Sequence, residues 1–590
     1  MGNDSTFTAH KKTLILAEHR VGHGSGHLHR CARLAPRLEG EVDWCLPENP
    51  GAGHYRRDEA LAMIGDPNLP VRWVDEPEGP YDLVILDRRS ASLAELKQLP
   101  VENGIVIGID LAGEARNYCS YLIDALETPP GMERPNVADA GLLHLPNRTR
   151  TEWPREARRI LVAFGGESSE AGADFAAELT AMVEAEVFLV SREPMQTSEG
   201  VTLVEARGDL PEKLADFDLV ITHYGLTPYE AIWARVPVLL RNPGKYHSLL
   251  SRAAGFTEIG SVADVTRQIR EFDTLCTRCE RIRPRGSTDI AALINEIVVP
   301  GQLTPPTGGD RWQKALHRYG ERTFFTNERD DVVYMHSFRG TTVDYDHDYF
   351  FSEYARQYGK TYLEDFPHIL ETGRRRAGDI RRVLNRRAHR SGTEYTPRLL
   401  DIGCAYGPFL KAASDAGFSA TGIDIACEAT QYVEKELGIP AICGDIQTLD
   451  PGRLGGPFDV VTMWFVIEHF DDLEPVVEQV QRLLRPGGLF VFSTPNGAGV
   501  SAQTDAREFY RRSPSDHYTV MNPRSARKFL EQHRFVVRRV RVTGHHPERF
   551  AAVSARPGGF RRGVWHRLFA FYSRARRLGD TFEIIGEFTP

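Results

Sequence analysis

Aspartates, glycines and histidines recur along this chain at spacings that suit group transfer. In LLDIGCAYGPFL, Leu399 to Leu410, a D-x-G-x-x-x-G pattern sets Asp401, Gly403 and Gly407 between an apolar run and a helix-forming one. Glycines there let the backbone approach a ligand closely, and the helix start offers unpaired N–H groups. Two more acids follow apolar runs: Asp424 in SATGIDIA and Asp445 in AICGDIQTL. The first is placed to accept both hydroxyls of a ribose, the second to accept from an adenine amino group. FDVVTMWFVIEHF then runs into Glu468-His469, and DHYTVMNP carries His517. Histidine has the right ordinary pKa for moving a proton near neutrality, so His469 and His517 are candidate bases. A role in ordering the loops fits each of them as well. Trp464 reads as a core aromatic.

A second glycine cluster, VGHGSGHLHRC from Val21 to Cys31, follows an apolar run and opens a helix. Gly24 and Gly26 there bring backbone amides toward a phosphate, with His27 as a candidate base and Arg30 as a binding residue. A zinc site would need His23, His27 and His29 to converge. His27 and His29 are two residues apart and face different directions on a helix, and no acidic or cysteine cluster completes a shell, so no metal is expected. Cys276-Thr-Arg-Cys279 lacks a second pair and reads as two ordinary thiols. Further on, RRILVAFGG ends in Gly165-Gly166, and LTPYEA sets Thr227 and Glu230 at the head of a helix. Glu230 either accepts the ribose hydroxyls of a nucleotide or complements the helix dipole.

The series from Arg398 to about Phe535 resembles the class I S-adenosylmethionine-dependent methyltransferases, in particular the ubiquinone-pathway O-methyltransferases. The residues that carry it are Asp401, Gly403, Gly407, Asp424, Gly444-Asp445, VIEHF at Val466 to Phe470, LRPGG at Leu484 to Gly488, and DHYTVMNPRSARKFLEQHRF. The resemblance implies S-adenosylmethionine as cofactor, bound through Asp401, Gly403, Gly407, Asp424 and Asp445. Methyl transfer is an in-line displacement, so positioning contributes much of the acceleration, and a base is needed where the acceptor must lose a proton.

Residues from about Thr13 to Phe256 resemble the two-lobed glycosyltransferase-B superfamily, and most closely the UDP-sugar hydrolases of pseudaminic acid biosynthesis. The matching pieces are Gly24, Gly26, His27, Arg30 and Cys31 in G-x-G-H-x-x-R-C, YDLVILDRRS, VIGID ending at Asp110, VAFGG ending at Gly166, and T-x-x-E at Thr227 and Glu230. The resemblance implies a UDP-sugar cleft with His27 as base. Two departures stand out. Asp110-Leu111 occupies a place where relatives commonly have two acids, and His223-Tyr224-Gly225 replaces a small glycine-rich turn, which puts bulk near the expected nucleotide pocket. Hydrolysis, glycosyl transfer and binding without turnover all stay open for this region.

The elements that must position these residues alternate short β-branched runs with longer amphipathic stretches, which implies parallel sheets covered by helices. The expected fold is α/β: two doubly wound, glycosyltransferase-B-like lobes, residues 1–150 and 151–298, then a Rossmann-like class I methyltransferase domain at 398–590. Between them come a proline- and glycine-rich linker at 299–340 and a helical lead-in at 341–397, helical from Tyr349 onward. Nine arginines between Gly373 and Arg398 read as the solvated face of a helix whose buried side holds Ile380, Val383 and Leu384.

At 590 residues the chain exceeds one hydrophobic core. A net charge of -9 gives no general attraction to nucleic acid, and no flipped-base motif follows the fourth strand of the third unit, so a nucleic-acid methyltransferase is the weakest reading. Eight scattered cysteines are too sparse for a disulfide framework and suit a reducing compartment. No apolar run is long enough to span a membrane and no secretory signal opens the chain, so a cytoplasmic location is expected; MGNDST meets only a loose myristoylation pattern. The stretch Ala551 to Gly579 has seven arginines and no acid, interleaved with aromatics. It reads as a helix capping the third unit, or as a weak peripheral membrane contact. The leading expectation is a methyltransferase acting on a small-molecule or glycan acceptor, fused to a module that hydrolyses, transfers or merely binds a nucleotide sugar.

Overall fold

The computed structural model describes residues 11–590 apart from 21–25, 66–67, 144, 165–168, 192–194, 206–209, 340–353, 355–358, 389–395 and 555–559. Contacts divide the chain into two units, residues 1–299 with 318–323, and residues 300–317 with 324–590.

The first unit holds two parallel sheets. Seven strands make the first: β1 Lys12–Ala17, β2 Glu41–Cys45, β3 Arg72–Val74, β4 Leu83–Asp87, β5 Ile105–Ile109, β6 Tyr121–Asp124 and β7 Val137–Ala138, in the order β3-β2-β1-β4-β5-β6-β7. Every residue of β4, β5 and β6 is buried, as in a sheet covered on both faces. β8 Arg159–Ala163, β9 Glu186–Ser191, β10 Val201–Glu205, β11 Leu219–Thr222 and β12 Val238–Leu240 form the second, in the order β10-β9-β8-β11-β12.

The stretch 299–340, read as a linker, carries three strands: β13 Lys314–Tyr319, β14 Arg322–Thr326 and β15 Val333–Ser337. Proline and glycine dominate only its first part. Beyond Trp312 the aromatic and branched residues suit strands, and Phe324, Phe325 and Tyr334 are buried.

The second unit is built on β16 Arg398–Ile402, β17 Ser419–Asp424, β18 Ala441–Cys443, β19 Phe458–Trp464 and β20 Leu484–Pro495, all parallel, with β21 Thr519–Val520 pairing antiparallel to β15. β22 Phe535–Thr543 and β23 Thr581–Phe588 complete a sheet of order β18-β17-β16-β19-β20-β23-β22, with β23 antiparallel to both its neighbours. The last strand of the chain therefore slots inside the sheet. Leu400, Val461, Phe490 and Phe492 fill the core on one side, and Leu399, Val460, Leu489 and Val491 on the other, as period-two alternation requires.

The lead-in to this sheet is one helix, Tyr362–Ala388, with Ala377 and Ile380 buried against it. The part of the lead-in before Tyr362 falls almost wholly outside the described residues. Cys427 and Cys443 form a disulfide. The scatter of cysteines hides this pair, whose members meet because β18 lies beside β17. The other six cysteines are free, Cys276 and Cys279 among them, both buried in the helix Phe272–Ile282. Among the described residues no helix is long and apolar enough to cross a membrane.

Candidate functional site

Parallel pairing brings the carboxyl ends of β16 to β20 to one edge of the second unit, where an open sheet of this kind holds its ligand. β16 ends in a turn with Gly403 at φ +73 and Gly407 at φ +78. These are left-handed angles that favour glycine, and a Cβ at Gly403 would lie 2.3 Å from Val466 Cγ2. The Gly403 amide donates to Ile423 O at 2.8 Å, and the helix Pro408–Asp415 starts directly after Gly407.

Asp401 is 1% exposed and accepts from the Thr462 hydroxyl at 2.6 Å. Burial pushes its carboxyl up to about 7, against the pull of Thr462 and the Arg376 guanidinium. A cation arriving here would draw it into the ionised form. Asp424 ends β17 and holds the glycine turn: its oxygens accept from Ala405 N at 2.7 Å and Ala426 N at 2.9 Å. Burial raises its pKa, and those amides oppose the rise. Asp445 lies two residues past β18 and caps its own turn through Gln447 N at 2.9 Å. Ile425, 55% exposed, and Phe465, 41% exposed, present bare apolar surface beside these acids. Acids for hydroxyl and amino groups next to apolar walls suit a nucleoside-bearing sulfonium cofactor. Trp464 packs against the core beside Phe409, and Arg376, from the helix Tyr362–Ala388, lies 4.0 Å over its ring.

Past β19, the Glu468 carbonyl accepts from Tyr518 N at 2.8 Å, which ties the loop carrying Asp516 and His517 to the one carrying His469. His469 Nδ1 lies 3.0 Å from an Asp516 carboxylate oxygen, and its ring meets that of His517 edge-on at 4.7 Å. Burial would lower the His469 pKa, but Asp516 and Glu468 outweigh it and the net shift is upward. His517 is pushed down to about 4 by burial and by His469. Glu468 is fully buried, which lifts its carboxyl to about 7. The Thr494 hydroxyl, which faces this carboxyl, opposes that rise. Donor atoms of Glu468, His469 and His517 lie within 4.8 Å of one another, close enough to share a cation. These histidines are not those of the N-terminal cluster.

In the first unit Gly24, Gly165 and Gly166 lie outside the described residues. The helix Gly26–Leu34 places His27, Arg30 and Cys31 around Asp87, the last residue of β4. His27 Nδ1 lies 2.5 Å from Asp87 Oδ1, and Arg30 donates to both Asp87 oxygens at 2.8 and 2.6 Å and also to Asp110. Burial would raise the Asp87 pKa, yet Arg30 and His27 hold it well below the usual carboxylate range. Asp87 ends β4 and Asp110 follows β5 directly, a strand-end position that marks both as candidate site residues beyond those the motifs single out.

A Cβ on Gly26 would lie 3.2 Å from Leu226 Cδ1, so the helix Leu226–Trp233 begins close to Gly26. Thr227 is half-buried on that helix. Glu230 is 6% exposed with Arg33 Nη1 at 4.0 Å, and burial lifts its carboxyl to about 7 despite that charge. The bulk expected near the pocket is turned into the core. Tyr224 packs edge-on against Tyr229 and Phe256, and His223 stacks on Phe164 at 4.8 Å.

Strand order, glycine turn and strand-end acids together define the C-terminal part as a class I, Rossmann-like methyltransferase domain, whose cofactor is S-adenosylmethionine. Residues 372–540 match the family described as a methyltransferase domain. The chain is similar to the ubiquinone biosynthesis O-methyltransferase of Klebsiella pneumoniae (strain 342), 33% identical over 116 residues that cover 19% of this chain and 48% of that protein. It is also similar to the same-named protein of Escherichia coli O9:H4 (strain HS), 30% identical over 140 residues, 22% of this chain and 58% of that one. The chain thus spans about half the length of these relatives. A solved S-adenosylmethionine-dependent methyltransferase from Archaeoglobus fulgidus aligns at 19% identity and a TM-score of 0.25, over 35% of this chain and 94% of that chain.

Proposed function

We propose that the protein transfers the methyl group of S-adenosylmethionine to a hydroxyl of a small molecule, a sugar or glycan precursor among the candidates, in the cytoplasm. The observation that carries this is the shared edge: Asp401, Gly403, Gly407, Asp424 and Asp445 stand at the ends of β16 to β18, and the His469–Asp516 pair stands past the adjacent β19. Asp516 on Nδ1 raises the basicity of His469, which takes the acceptor's proton. His517 packs against that ring and orients it.

The first unit is read as a nucleotide-sugar module, a UDP-sugar being the ligand to try first. Its support is the His27–Asp87 pair, with Thr227 and Glu230 on the helix whose Leu226 lies against Gly26.

Full-length protein incubated with labelled S-adenosylmethionine and separate panels of small hydroxyl compounds, nucleotide sugars, glycolipids and RNA tests both parts. Label should enter a small hydroxyl compound, and His469→Asn should lower kcat at least ~100-fold while S-adenosylmethionine still binds. Label entering RNA alone, or an unchanged kcat, overturns the reading. Loss on chelation with recovery on adding a divalent cation would move the proton-removing role from His469 to a metal held by Glu468, His469 and His517.

A further inference from the structure

The helix Phe560–Arg576 carries one apolar face more than its packing uses. Its inner face is satisfied. Phe569 stacks 4.9 Å from Phe550, Trp565 lies 5.8 Å from Phe569, and fully buried Ser573 shares a 2.7 Å hydrogen bond with His545 Nδ1. On the opposite side Val564, Leu568 and Phe571 follow at the i, i+4, i+7 spacing of a single stripe, 50%, 53% and 71% exposed. Arg567 and Arg574, both exposed, fall along one margin of that stripe. No acid occurs from Ala551 to Gly579, and Glu548, just before that stretch, lies 3.8 Å from His566.

We propose that this face docks on an anionic lipid bilayer, with Val564, Leu568 and Phe571 among the acyl chains and Arg567 and Arg574 at the headgroup phosphates. Charge selects the occupant. The whole chain carries -9, so attraction to an anionic surface has to be local, and here cations flank apolar side chains as in helices that lie in a membrane interface. Area argues against a second copy of this chain: three partly covered side chains offer on the order of 300 Å² of apolar surface, well below the roughly 800 Å² per partner of a stable protein interface. This proposal stands apart from the reading of the methyl-transfer site.

The test is co-sedimentation of the full-length protein with vesicles of phosphatidylglycerol and phosphatidylcholine, against phosphatidylcholine alone. Binding should require the anionic lipid and fall with salt. Leu568→Asp/Phe571→Asp should reduce partitioning by at least ~tenfold, and Arg567→Gln/Arg574→Gln by roughly tenfold with a flatter salt dependence. All these side chains are exposed, so the thermal midpoint should stay put; matched midpoints keep the comparison independent of folding. Wild-type protein that stays in solution, or a double-aspartate variant that sediments like wild type, overturns the proposal. So does an outcome in which the same variants abolish self-association or RNA retention without vesicles and leave lipid binding unchanged.

Discussion

Replacing Gly403 by alanine adds a methyl group where the backbone has φ +73 and where the nearest atom, Val466 Cγ2, is 2.3 Å away. The left-handed angle alone costs an L-residue about 1–2 kcal/mol. The overlap forces Val466 or the turn to shift, for about 1–3 kcal/mol more. Gly403→Ala should therefore destabilise the second unit by about 2–5 kcal/mol and weaken S-adenosylmethionine binding at least ~tenfold, because the same turn carries the amides beside Asp401 and Asp424. Val466→Ala removes both γ carbons and leaves a Val466 Cβ contact of 3.3 Å. The double variant should recover the overlap part of the loss and retain the left-handed part, giving a coupling of about 1–3 kcal/mol between sites. Urea unfolding of the transition that S-adenosylmethionine shifts, with calorimetric titration of the cofactor, measures both quantities. A Gly403→Ala protein as stable and as tight-binding as wild type, or a double variant no better than the single one, would refute the reasoning.

Two other outcomes follow from buried charge in the first unit. Asp87→Asn keeps the shape but leaves Arg30, 7% exposed, with Asp110 as its remaining carboxylate; a loss of about 3 kcal/mol is expected in thermal or urea unfolding, and a change under ~0.5 kcal/mol would contradict it. Glu230 has a folded pKa of about 7 against an ordinary 4.5, so between those values the folded chain keeps a proton that the unfolded chain has released. Its contribution is complete below pH 4.5 and fades as pH rises through 7, about 3 kcal/mol in all; Glu230→Gln should flatten the pH 4 to 8 stability profile by about that amount, and parallel profiles would refute it.

Much of the fold is legible in the sequence because a parallel strand and the turn after it are local. TLILA, LVILD and IVIGI each mark a covered strand without help from neighbours, and β16 with its glycine turn does the same. Short strands such as Arg72–Val74 and Tyr121–Asp124 are not legible, since three or four residues show no period. β13 to β15 were missed because proline and glycine at the head of their segment suggest a linker, and because β21, the edge strand that pairs with β15, comes almost two hundred residues later.

The domain class of the C-terminal part is written in short segments, since glycines that need left-handed angles and acids at strand ends are local properties. Tertiary structure alone decided which groups meet: Asp87 with His27 and Arg30 through β1 and β4 side by side, Asp516 with His469 through one clamped loop, Cys427 with Cys443 through β17 and β18. It also decided which side of the Phe560–Arg576 helix is left bare, because a helix with apolar residues on two sides does not say in its sequence which one the protein will cover.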